Sequence, residues 1–206
     1  MKKAIAAVSA AAIGAIGGVL AVRTLRVKPK AQSAPAPDAV HVDGQKAIDD
    51  LAEMLRCKTV SNPDNSLEDA AEFDRFRALL RERFPAVHEK CSLEHVGRCG
   101  LLYYWKGEND GAPTVLMAHY DVVPADEATW TKPPFGGVIG DGILYGRGAL
   151  DTKITLCACL EAAEQLIKSG FTPKNDIYFA FSGEEEIAGP SASDIVDVLS
   201  SRGVCP

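Results

Sequence analysis

The stretch "IYFAFSGEEEIAG", Ile177–Gly189, runs a short apolar segment into Ser-Gly and then into three consecutive glutamates. Aromatic and β-branched residues over so few positions predict a buried strand, and Ser-Gly predicts its end. Adjacent carboxylates repel one another, and a carboxylate at the edge of a core is costly unless something positive compensates it. A glutamate triplet standing alone reads as a solvated acidic loop. What the rest of the chain brings to the same end of the sheet decides between the two readings.

Working outward, "TVLMAHYD" (Thr114–Asp121) is a second strand of the buried kind, closing on His119 and Asp121. Between the two strands, "GILYGRGALD" leads into a helix near residues 152–169, with Asp151 at its start. After the glutamates, "PSASDIVDVLSS" opens another helix with Pro190 in its first turn. Upstream, "QKAIDDLAEMLRC" sets Ala47, Ile48, Leu51, Met54 and Leu55 at helical spacing. A second amphipathic helix is expected over residues 67–84, with Phe73, Phe76, Leu79 and Leu80 on one side. Strand-like runs surround "HEKCSLEHV" and "LLYYWKG", and "NDGAP" reads as a turn. Alternating strands and helices predict an α/β fold with a largely parallel sheet flanked by helices, and there is no internal repeat.

In such sheets the ligand crevice lies beyond the carboxyl ends of the strands. Three polar groups converge there: His119 with Asp121, Asp151, and the triplet Glu184, Glu185 and Glu186. Singly each is weak, since an isolated His-x-Asp is commonly incidental and a lone Asp at a helix start is commonly a cap. Together they predict a metal site with nitrogen and oxygen ligands, of the kind zinc accepts without thiolates. Residues two apart on an extended chain point the same way, so Asp121 is expected behind His119, fixing its tautomer. A cation at this place offsets the glutamates.

Charge is distributed unevenly. Residues 1–30 hold six Lys/Arg and no acid, leaving 16 basic and 28 acidic side chains in the remainder. So acidic a body repels phosphates, and nucleic acid is excluded as a partner. Ala4–Val22 is a run of 19 uncharged residues between basic flanks, read as an uncleaved membrane anchor or a signal segment, with a buried core helix as the alternative. The expected organisation is an anchor over 1–30, a Pro/Ala linker over 31–44 and a catalytic domain over 45–206, with the body outside the cytoplasm. The six cysteines contain no Cys-x-x-Cys pair, so a structural zinc knuckle is not expected; Cys91 with Cys99 is the one local disulfide considered.

Taken together, "MAHYDVVPAD", "PPFGGVIGDGILYGRGALDTK" and "FAFSGEEEIAG" resemble the M20 metallopeptidase family, and within it the carboxypeptidase S and N-acyl-amino-acid hydrolase branch. The resemblance covers about residues 45–206. It implies a dizinc exopeptidase-like catalytic domain with two zinc ions bridged by one aspartate. By motif position His119 is a ligand of one zinc, Asp151 the bridge, and Asp121 the residue that orients His119. Aligned on the family pattern, Glu184 is a variable acid, Glu185 the general base and Glu186 a ligand of the second zinc; a register slipped by one makes Glu184 the base instead. The implied reaction is hydrolysis of a peptide or N-acyl amide bond next to a free carboxylate, in a small peptide or N-acyl amino acid. Gly146, Arg147 and Gly148 would shape the turn presenting Asp151, and Trp130, Pro133, Pro134 and Phe135 a wall of the cleft.

Family members are roughly twice as long. The resemblance implies further metal ligands and a lid or dimerisation domain beyond Pro206, so the chain corresponds to an N-terminal portion, and a homodimer is expected only where that domain is present. Thr152 and Ile154 depart from the family pattern where Met and Gly are common. The alternatives are a non-catalytic remnant with incomplete metal sites and, more distantly, a metal-independent carboxylate enzyme such as a glycosidase.

Overall fold

The computed structural model describes residues 2–27 and 42–204, with side chains described from residue 14 onward. The chain divides into two compact units, Met1–Val40 and His41–Pro206. In the first, α1 (Lys2–Arg26) forms where the uncharged run predicts a helix. The membrane anchor expected there is not supported: among the described residues no helix is long and apolar enough to cross a membrane. The expected linker lies outside the described residues as far as residue 41, as does Cys205.

The second unit is built on a four-stranded sheet in the order β1-β2-β6-β3, from β1 (Ser92–Val96), β2 (Gly100–Trp105), β3 (Asn109–His119) and β6 (Asn175–Ser182). The expected largely parallel sheet is corrected to a mixed one, because only β3 and β6 run parallel while β1–β2 and β2–β6 are antiparallel. The reason is local. Gly97, at φ 56°, begins a turn too short for a crossover, so β2 must fold back on β1. "NDGAP", expected as a turn, is instead the irregular first part of β3, with a register shift between Asn109 and Thr114.

Two central strands carry the core on both faces. Tyr103, Trp105, Phe179 and Phe181 point to one side, into α2 (Gly44–Arg56), α3 (Ala70–Arg83), α4 (Pro85–Lys90) and α5 (Ile154–Lys168). Leu102, Tyr178 and Ala180 alternate to the other, against Ile195 and Leu199 of α6 (Ser191–Ser201). This is the period-two alternation of strands covered by helices on both sides. Each fully buried large side chain contributes about 1.5–3 kcal/mol.

The helices begin and end for readable reasons. Asp43 caps α2 by accepting from the Lys46 amide, and Asp69 caps α3 by accepting from the Ala71 amide. Ile48, expected on the buried face of α2, is exposed, and Asp50 is buried in its place. That aspartate is compensated by Lys46 at 2.5 Å and Arg83 at 3.5 Å. Helix α4 stands where "HEK" predicts the start of a strand. Pro85 sets its first turn, and Glu164 accepts from the amides of Ala86 and Val87. A separate hairpin, β4 (Val138–Gly140) with β5 (Ile143–Tyr145), turns through Asp141 and Gly142, both at positive φ. The considered Cys91–Cys99 disulfide does not form; Cys57, Cys91, Cys99, Cys157 and Cys159 are all free thiols.

Candidate metal centre

Strands β3 and β6 run parallel with His119 opposite Ser182, so their polar continuations emerge side by side. Beyond β3, the segment Tyr120–Val122 is held by a short parallel bridge between Val60 and Val122, with Tyr120 also tied to the Ser182 carbonyl at 3.0 Å. Asp151 is presented on a kinked segment after "GRG", at φ −122° and ψ 93°. Gly148 sits at φ 84°, where a Cβ would lie 2.7 Å from Val122 Cγ1. At Gly146 a Cβ would meet Leu55 Cδ1 at 2.7 Å, so the turn packs directly on α2.

These elements gather His119, Asp151 and Glu186, each offering a ligand atom within 4.8 Å of the others. His119 is buried; its Nε2 lies 2.9 Å from Asp151 Oδ1 and 3.8 Å from Glu185 Oε2. On the other side of the ring, Nδ1 lies 3.1 Å from the Asp121 carbonyl and 3.3 Å from its carboxylate. Asp121 is fully buried and saturated with donors. Ser61 Oγ donates to it at 2.8 Å, and the amides of Glu185 and Glu186 each donate at 3.0 Å. Glu184 points away from this group, buried against Arg98.

The electrostatics show a deficit of positive charge. Among the described residues, His119 is the only ion-pair partner of Asp121, Asp151 or Glu185. Burial lowers the His119 pKa, but hydrogen bonds to Asp121 and Asp151 outweigh it and raise it to about 9. The Glu186 carboxyl is raised by burial and by the neighbouring charges of Asp151, Asp121 and Glu185, against the pull of His119. For Asp121 burial acts upward, and the hydrogen bonds from His119, Ser61 and the two backbone amides prevail and lower it. An imidazole and two carboxylates converging in a cluster whose only ion-pairing partner among the described residues is that imidazole fit a divalent metal by donor type and by charge.

The expected wall of the cleft is tied to the same turn. Arg147 lies over the Trp130 ring at 5.1 Å, and its amide donates to the Pro134 carbonyl at 2.7 Å. Lys58 lies over Phe135 at 5.4 Å, whereas Pro133 is exposed. Three contributors were not found from sequence. Ser61 reaches Asp121 from 60 residues away with no local signal. The backbone amides of the glutamate loop carry no side-chain signature at all. Lys153 did have one, in "ALDTK". It is wholly buried, with Nζ donating to the carbonyls of Met54 and Cys57 at 2.9 and 2.8 Å. It thereby satisfies the free carbonyl end of α2 and pins the segment bearing Asp151 to it.

A mixed sheet between helices, with His, Asp and Glu gathered at its strand ends, defines an α/β domain with a candidate metal centre. The same fold is found in human carnosine dipeptidase 1, with a TM-score of 0.61 at 21% identity over 78% of this chain and 37% of that one. Residues 115–204 match the family model described as peptidase family M20/M25/M40, and the chain belongs to the M20 peptidases. It is 35% identical over 183 residues to a probable carboxypeptidase S-like protein of Dictyostelium discoideum, covering 83% of this chain and 35% of that one. It is 38% identical over 167 residues to an N-fatty-acyl-amino acid synthase/hydrolase of Danio rerio, covering 78% of this chain and 32% of that one. The chain thus spans about a third of the length of these curated relatives.

Proposed function

We propose that this chain supplies zinc-binding and proton-transfer groups for hydrolysis of a peptide or N-acyl amide bond next to a free carboxylate. The observation that carries this reading is the convergence of His119, Asp151 and Glu186 within 4.8 Å, with the exposed Glu185 carboxylate 3.8 Å from His119 Nε2. The relatives' names, a carboxypeptidase S-like protein and an N-fatty-acyl-amino acid synthase/hydrolase, support the substrate class. They also weigh against a non-catalytic remnant.

In this reading His119, Asp151 and Glu186 would hold zinc. Zinc supplies Lewis acidity and lowers the pKa of water toward neutrality. Glu185 stays unligated, takes a proton from the attacking water and delivers it to the leaving amine. Asp121 faces Nδ1 and so leaves Nε2 of His119 free to act as a ligand. Glu184, turned toward Arg98, takes no part, which favours the register with Glu185 as base over the slipped one. The expected site of action outside the cytoplasm is proposed from the basic-flanked apolar run alone; a reporter fused after Pro206 and found active only in the cytoplasm would refute it.

The test pairs zinc content with turnover of N-acyl amino acids. Glu185→Ala should retain zinc while losing about 10²–10⁴-fold in turnover. Asp151→Ala should lose metal. Equal metal loss in both variants would show the division of roles to be wrong, and a zinc-loaded full-length form carrying this chain that hydrolyses none of these substrates would overturn the hydrolase reading.

A further inference from the structure

Among the described residues, two clusters that pair an arginine with buried carboxylates lie outside the candidate metal centre. One, formed by Lys46, Asp50, Arg83 and Glu161, joins α2, α3 and α5. The other stands directly behind the glutamate loop. Arg98, in the turn between β1 and β2, donates through Nε to Glu184 Oε1 at 3.0 Å, and its Nη2 reaches the same oxygen. Its Nη1 and Nη2 also reach the Glu68 carboxylate, which in turn accepts from the Asn62 amide at 2.9 Å. Glu184 is only 3% exposed, and its second oxygen, Oε2, is buried without a hydrogen-bond partner. The backbone is shaped to admit it. A Cβ at Gly189 would lie 2.5 Å from Glu184 Cβ, so the missing side chain there leaves the room Glu184 occupies.

Of three consecutive glutamates, one is therefore turned into the protein and two toward His119. We propose that Arg98 is the positioning residue of the glutamate loop, and that by neutralising Glu184 it decides which two carboxylates face His119. A buried carboxylate stripped of its counter-charge is strongly unfavourable. The loop can escape that cost by swinging Glu184 outward, and the swing draws the amides of Glu185 and Glu186 off Asp121. Arg98 thus acts at a distance, through the charge of one acid and the hydrogen bonds of the next two. Only the consequence for zinc rests on the function proposed above; the positioning is a property of the chain itself.

Two readouts test it on the full chain: amide hydrogen exchange at Glu185 and Glu186 without metal, and zinc affinity by titration calorimetry. Arg98→Ala should speed exchange at both amides and weaken zinc binding by about 10–100-fold, the usual cost of losing a group that orients a ligand. Adding Glu184→Gln to Arg98→Ala should restore both readouts to near the parent values, because an amide at 184 needs no counter-charge. A structural role for the arginine in packing alone predicts no such rescue, so a double variant no better than Arg98→Ala overturns the proposal. Unchanged exchange and affinity in Arg98→Ala overturns it as well. Should Arg98→Ala fail to fold, the double variant decides: slow exchange supports the proposal and an unfolded chain refutes it. A parent that binds no zinc refutes the proposed function instead, and the exchange result still judges Arg98.

Discussion

Strands β3 and β6 lie side by side in parallel register and both deliver residues to the site, yet they are held by different forces. Strand β6 has a neighbour on each edge, and Tyr178–Ser182 are all buried. Strand β3 pairs with β6 on one edge only, with no strand on its other edge among the described residues; Leu116 is 38% and Met117 57% exposed. The end of β3 is nevertheless among the most buried parts of the chain, because polar ties take over where apolar packing stops. Thr59 Oγ1 donates to the Tyr120 carbonyl at 2.5 Å, Val122 pairs with Thr59, and the Tyr120 ring stacks on Phe76 at 5.0 Å. One side of the site therefore rests on hydrophobic burial and the other on hydrogen bonds to fixed partners.

The largest expected effect tests the first half of that contrast. Phe181→Ala, in the fully buried carboxyl half of β6, should cost about 3–5 kcal/mol in chemical denaturation, as a cavity in a close-packed core does. Met117→Ala on the outer part of β3 should stay within about 0.5 kcal/mol. Comparable costs at the two positions would erase the distinction between the strands.

A middle-sized effect sharpens the second half. Asp121→Ala removes the acceptor for Ser61 and for the amides of Glu185 and Glu186, and a buried group left unpaired costs about 1–3 kcal/mol. The loss should appear in the metal-free chain and exceed that of Met117→Ala severalfold. Denaturation of Asp121→Ala at the parent midpoint would mean that the polar ties do not hold the end of β3.

The smallest effect is at the opposite end of the sheet, where Asp176 at the start of β6 accepts from the Gly107 amide at 2.8 Å and the Tyr104 hydroxyl at 2.9 Å. Burial pushes the Asp176 carboxyl up, but these donors and Lys106 outweigh it and hold it below its ordinary 3.8. A carboxyl depressed in the folded state stabilises the fold above its unfolded pKa, and that contribution fades as pH falls through the folded value. Asp176→Asn should therefore lower stability slightly at neutral pH and converge on the parent below about pH 4, which flattens the acid limb. Parallel acid limbs for parent and variant would remove Asp176 from the account.

The contrast between β3 and β6 also marks the limit of what the sequence makes legible. "TVLMAHYD" and "IYFAFS" are both mostly apolar and both read as buried strands, but only β6 is one. A strand's own residues do not say how many neighbours it pairs with, and the same blindness made the mixed sheet look largely parallel. Legible motifs were those whose chemistry is carried by side chains in one segment. His119, Asp121, Asp151 and the glutamate triplet could all be named, and the structure brings His119, Asp151 and Glu186 together. The "GDG" turn of the β4–β5 hairpin carries a recognisable Asp-Gly signal. Ser61 and Arg98 could not be found that way, since each acts only through contacts made by folding.

The free cysteines have a practical consequence. Burial raises the pKa of every described thiol, to about 11 at Cys91 and Cys99 and to about 12 at Cys157, with Cys57 and Cys159 also raised. The reactive form of a cysteine is the thiolate, so these sulfurs are nearly inert to alkylating reagents at neutral pH while the domain stays closed. They are distributed over α4, α5, the end of α2 and the turn after β1. Each labelled position therefore dates the opening of its own element, and the order in which they become modified in dilute denaturant traces the sequence in which the domain comes apart.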